Sequence, residues 1–131
     1  MKHKNSLIGA TICILSGICL GAIGAHSLEP ILSKTALESF KTGVNYQTYH
    51  GLSILVLILL SEKLNINLIW SIRLMFIGLI CFSGSIYLLA LKSLLGLESL
   101  TVILGPITPI GGLSLILAWF IFLVVLLRLK N

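Results

Sequence analysis

Polar and apolar positions alternate along this chain on the scale of whole segments. Four long runs lack Asp, Glu, Lys and Arg: Asn5–Leu28, Thr42–Ser61, Leu74–Leu91 and Ser99–Leu127, of 24, 20, 18 and 29 residues. Crossing a hydrocarbon core of about 30 Å takes roughly 20 apolar residues in a helix. The pattern therefore predicts an all-α polytopic membrane protein, a single domain over 1–131, with four transmembrane helices at about 6–26, 43–61, 72–91 and 109–128. Between the first two spans, Leu28, Ile31, Leu32, Ala36, Leu37 and Phe40 share one helical face, and Lys34, Glu38 and Lys41 lie off it. That spacing predicts a short amphipathic helix lying in the interface. Its expected start is Glu29 as N-cap with Pro30 at the first helical position, and a bend is expected at Gly43.

Two spans carry packing signals. In the first, Gly9, Cys13, Gly17, Gly21 and Ala25 recur every fourth residue, a ridge that lets another helix backbone approach closely. In the third, Gly78, Cys81 and Ser85 form a second small-residue face, with Gly84 beside it and Ser83 and Tyr87 adding polar groups. The basic start and small residues of the first run imitate a signal peptide. The apolar stretch is long for one, and three more spans follow, so the run is read as a membrane helix. The last run contains Gly105-Pro106-Ile107-Thr108-Pro109-Ile110-Gly111-Gly112. Two prolines three apart free carbonyls inside a regular helix. Thr108 as N-cap and Pro109 at the first position would start the fourth span there, leaving 101–107 interfacial or re-entrant. The competing reading is one helix running through both prolines.

Composition supports the membrane reading. The chain is 57% hydrophobic and 10% charged, with mean hydropathy +1.11; soluble domains carry about 25% charged residues. The net charge of +5 is spread over residues flanking the apolar runs, which suits membrane-end anchors rather than nucleic acid. Lys2, Lys4, Lys63, Arg73, Arg128 and Lys130 fall on the side of the termini, against Lys34, Lys41 and Lys92 on the other. The excess predicts cytoplasmic N- and C-termini. Cys13, Cys19 and Cys81 match no disulfide or metal-ligand spacing, so neither a metal nor a cofactor is expected.

One stretch asks for a chemical explanation. Tyr46-Gln47-Thr48-Tyr49-His50 opens an otherwise apolar span, and polar groups in hydrocarbon are costly unless partnered. Tyr46, Tyr49, His50 and Ser53 share a helical face. Either the tyrosines belong to an interfacial belt and His50 is hydrogen-bonded to a neighbouring helix, or these residues line a pocket. With the termini inside, His26, the start of the second span and the Gly-Pro segment gather on the outer side, so His26, Tyr46, Gln47, Tyr49 and His50 form the candidate polar cluster.

The same stretches carry a likeness. Gly21-Ala22-Ile23-Gly24-Ala25-His26 resembles the GAFGAH signature of the small membrane proteins grouped as domain of unknown function 423, the YgdD type. The run from Phe40 to His50 resembles that family's F-x-T-x-V-x-Y-Q-x-Y-H. Phe82-Ser83-Gly84-Ser85-Ile86-Tyr87 resembles its FSGSLY, and Gly105 to Gly112 its G-x-I-T-P-I-G-G. Gly43 and Gly51 stand where the family often has alanine, a departure expected to loosen the second span. The resemblance implies a multi-span protein of the bacterial plasma (inner) membrane and supplies no reaction.

Three function classes follow. A structural or accessory membrane component, able to self-associate through its glycine ridges, fits best. A small-solute or ion transporter with an outer-facing vestibule around His50 is the alternative; no acidic residue lies deep in a span to support proton coupling. An enzyme is not expected, because no Ser/His/Asp, Cys/His or local metal motif is present. The expected partner is the lipid bilayer, with no nucleic acid.

Overall fold

A computed structural model describes residues 3–129. They are helical almost throughout: α1 (Lys4–Ile23), continued by a π-helical turn (Gly24–Leu28), then α2 (Lys34–Lys63), α3 (Ile69–Ala90), the single turn α4 (Lys92–Leu95) and, after a 3₁₀ turn at Glu98–Leu100, α5 (Thr101–Leu127). Three segments, Lys4–Leu28, Ile69–Ala90 and Glu98–Leu127, are long and apolar enough to cross a membrane. α2 has the length, but its first half holds the polar stretch and it is not one of the three.

The long helices pack antiparallel in chain order, α1 on α2, α2 on α3 and α3 on α5. Large apolar side chains cover the outside: Val102 is 82% exposed and Ile80 68%. A surface of that kind is compatible with lipid as solvent and would aggregate in water. Inside, two apolar clusters lie at different levels. Ala10, Ile54, Ile58, Ile72, Met75 and Ala118 bring all four long helices together at one level. Leu28, Leu37, Phe40 and Ala90, flanked by Tyr87, form the other.

The ends of the elements correct several expectations. No separate amphipathic helix occurs over 30–41. Pro30 lies in a turn where the Ile31 and Leu32 N–H groups donate to the Leu28 carbonyl, at 3.1 and 2.9 Å. The N-cap is Ser33, whose hydroxyl accepts from the Ala36 N–H at 3.2 Å, so Glu29 is not the cap. From there α2 runs 30 residues, roughly 45 Å at 1.5 Å per residue. It continues through Gly43 instead of ending at a bend, because Gly43 is a packing position: a Cβ there would lie 2.8 Å from Tyr87 Cε1. Gly51 does the same against Ile14 of α1, at 2.9 Å. Both glycines bring neighbours closer, where a loosened helix was expected.

A further correction concerns the Gly-Pro segment. α5 begins at Thr101 and passes through Pro106 and Pro109, so 101–107 is helical and Pro109 is not a helix start. Each proline removes one backbone donor, which neighbouring helices and local adjustment can offset in a membrane helix. Thr108 caps nothing, because its hydroxyl is engaged with Ser85 of α3 at 2.6 Å.

The small-residue ridges are used with one shift and one exception. Added Cβ atoms at Gly9, Gly17 and Gly21 would meet Phe76, Thr48 and Val44 at 3.1, 2.9 and 3.4 Å. Past Gly21 the buried position is Gly24, against Phe40, and Ala25 is exposed, so the ridge shifts at the π turn. On α3, a Cβ at Gly78 would lie 2.8 Å from Leu115 and 2.9 Å from the Gly111 carbonyl. Gly111 itself abuts the backbone of Cys81 and Phe82, so the α3 and α5 backbones approach closely here. Gly84 has nothing within 4 Å of an added Cβ, so it is not a packing glycine.

Candidate functional site: a polar clamp and an aromatic groove

The polar stretch of α2 divides between two faces. Phe40, Gly43, Gln47, Gly51, Ile54, Ile58 and Ser61 recur at spacings of three and four and are all buried. Gln47 is therefore on the inner seam, only 6% exposed. Its Nε2 donates to the Cys13 carbonyl at 2.8 Å and to Ser16 Oγ at 2.7 Å, both on α1. Its Oε1 accepts from the Tyr87 hydroxyl of α3 at 2.7 Å. The amide's orientation follows from its partners: a backbone carbonyl can only accept, so nitrogen must face Cys13. Ser16 accepts because its own proton goes to the Ile12 carbonyl at 2.7 Å. One side chain thus ties α1, α2 and α3 together, between the two apolar clusters.

Tyr87 is held on three sides. Its ring lies over Gly43, packs against Phe40 with centroids 5.0 Å apart, and sends its hydroxyl to Gln47. Polar contacts continue between α3 and α5, where Ser85 meets Thr108 and the Ser114 hydroxyl donates to the Leu74 carbonyl at 2.9 Å. Thr48 and Ser53 bond carbonyls one turn back on α2, at 3.0 and 2.8 Å. Among the described residues, Ser71 Oγ and Ser83 Oγ are buried without a partner.

Tyr46, Tyr49 and His50 turn outward. Among the described residues His50 bonds only its own helix: its Nδ1 lies 2.8 Å from the Tyr46 carbonyl. The inter-helix role expected of His50 belongs to Gln47, one turn earlier. The Tyr46 ring lies between His50, stacked with centroids 5.6 Å apart, and Phe82 of α3 at 4.5 Å. With Leu115 and Trp119 of α5 these residues line a groove of about 460 Å³. His26 is exposed on the π turn and is not part of that lining, so the expected five-residue cluster is three residues in the groove, one in the clamp and one apart. A sequence signal for Gln47 does exist: glycines stand four residues to either side of it, marking the close-packed seam.

A UPF0382 membrane protein of Staphylococcus haemolyticus is 40% identical over 121 residues, 92% of this chain and 93% of its own. The UPF0382 membrane protein YwdK of Bacillus subtilis is 37% identical, over 92% of this chain and 94% of its own. The UPF0382 inner membrane protein YgdD of Escherichia coli K12 is 34% identical over all of this chain and 95% of its own. No solved structure matches. The model described as "Protein of unknown function (DUF423)" matches residues 20–112, which hold the clamp's Gln47 and Tyr87 and most of the groove, and the chain belongs to that family of membrane proteins.

Proposed function

We propose that this protein is a structural or accessory component of the bacterial plasma membrane that carries out no catalysis. α2 makes the fourth crossing, its polar first half sheltered by α1 and α3, and both termini lie in the cytoplasm. The single observation that carries this reading is the Gln47 clamp. The polar atoms of Gln47, unfavourable in hydrocarbon if left bare, join three helices, and glycines at Gly17, Gly51, Gly78 and Gly111 bring the backbones together. The relatives named as membrane and inner membrane proteins support the location, and the basic-residue excess supports the orientation.

A transporter remains the second reading, favoured by the groove at His50. Its lining is mainly aromatic and aliphatic, and it lies beside exposed Tyr49, Ile116 and Trp119. Purified protein in liposomes should give no solute flux above empty vesicles, and C-terminal fusions should be active with a cytoplasmic reporter only. Flux abolished by His50→Phe would replace this reading with transport, and a reporter active only in the periplasm would reverse the orientation.

A further inference from the structure

The groove has a defined chemistry, and it is not needed by the clamp. A carbonyl only accepts, so the 2.8 Å contact to the Tyr46 carbonyl puts the proton of a neutral His50 on Nδ1. The other nitrogen, Nε2, then carries a bare lone pair, and none of the described residues bonds it. His50 lines the groove, so the polar atom its ring can offer an occupant is an acceptor. No charged side chain lines the groove, which disfavours ionic ligands.

The walls define the rest. His50, Tyr46 and Phe82 form a continuous aromatic surface across α2 and α3, and Trp119 supplies a further ring from α5. Flat rings favour a flat, polarisable occupant, through stacked or edge contacts. A volume of about 460 Å³ falls in the range of small-molecule sites. Depth sets the route of entry. Phe82 lies eight residues from the end of α3, roughly 12 Å along the helix, so an occupant must be soluble in the bilayer.

We propose that the Tyr46–His50 groove binds a small, uncharged, planar aromatic molecule that carries a hydroxyl, a phenol or quinol taken up from the membrane, with the hydroxyl donating to His50 Nε2. This goes beyond the packing role and rests on it only for α2 crossing the membrane. The reporter fusions test that crossing separately.

A pair of probes with the same ring isolates the hydrogen bond: 1-naphthol, which can donate, and 1-methoxynaphthalene, which cannot. Full-length protein in nanodiscs is dialysed against each in mildly alkaline buffer, with empty nanodiscs subtracting partition into lipid. Saturable naphthol retention, about three- to tenfold tighter than the methoxy analogue, is expected for one neutral hydrogen bond. His50→Phe should bind both probes alike, and Trp119→Leu should weaken both while keeping the preference. Equal retention of the two probes by the unaltered protein, or none beyond empty nanodiscs, overturns the proposal. The probe comparison needs no variant, so a misfolded substitution does not leave it open.

Discussion

Gln47 and His50 are three residues apart on one helix, and their surroundings are opposite. Gln47 is enclosed, with three hydrogen bonds to two other helices. His50 is half-buried, bonds only its own helix and borders a groove. The difference comes from helical geometry. A 3.6-residue repeat puts Gln47 in line with Gly43 and Gly51, and His50 in line with Tyr46. The bundle therefore has an intolerant interior and a permissive flank, and substitutions on the two sides should separate cleanly.

The glycines give the widest separation. At Gly111 a side chain would run into backbone atoms of Cys81 and Phe82, which cannot rotate away. Gly111→Val should cost roughly 3 kcal/mol, enough to lower the yield of folded protein in detergent sharply. Gly84→Ala, facing open space, should leave the melting temperature unchanged or slightly raised. Equal tolerance at both positions would break the distinction.

The polar pair comes next. Gln47→Leu leaves the Tyr87 hydroxyl without its partner and removes two hydrogen bonds to α1, and should cost about 2 kcal/mol in a thermal or denaturant unfolding assay. Smaller again is Thr108→Val, which removes one hydroxyl contact between α5 and α3 at about 0.5–1 kcal/mol. His50→Phe should fall within ~0.5 kcal/mol of the unaltered protein, since only a bond within α2 is lost. Destabilisation by His50→Phe as large as that from Gln47→Leu would mean that the outward face is structural too.

Much of this was legible in the residues, for physical reasons. Membrane helices must satisfy their backbones internally, so uncharged length alone pointed to the three segments long and apolar enough to cross a membrane, though the last begins well before the predicted start. Close approach needs small side chains, so the ridge through Gly9, Gly17 and Gly21 could be read from spacing. What escaped depended on partners elsewhere in the chain. Thr108 has the composition of an N-cap, and only the position of Ser85 on α3 shows that its hydroxyl is engaged sideways. Gly43 has the composition of a hinge, and only Tyr87 shows it to be a seat for a ring. Gly84 has the composition of a contact, but it faces away from the α3–α5 seam. Gln47 adjoins the tyrosines in sequence, but its flanking glycines set it on the other face.

The central claim is that Gln47 and Tyr87 act as one unit holding three helices. A double-mutant cycle with Gln47→Leu, Tyr87→Phe and the pair, followed by unfolding in detergent, tests it most directly. The account predicts that the pair is less damaging than the sum of the single substitutions, with a coupling of about 1 kcal/mol. Strict additivity would contradict it.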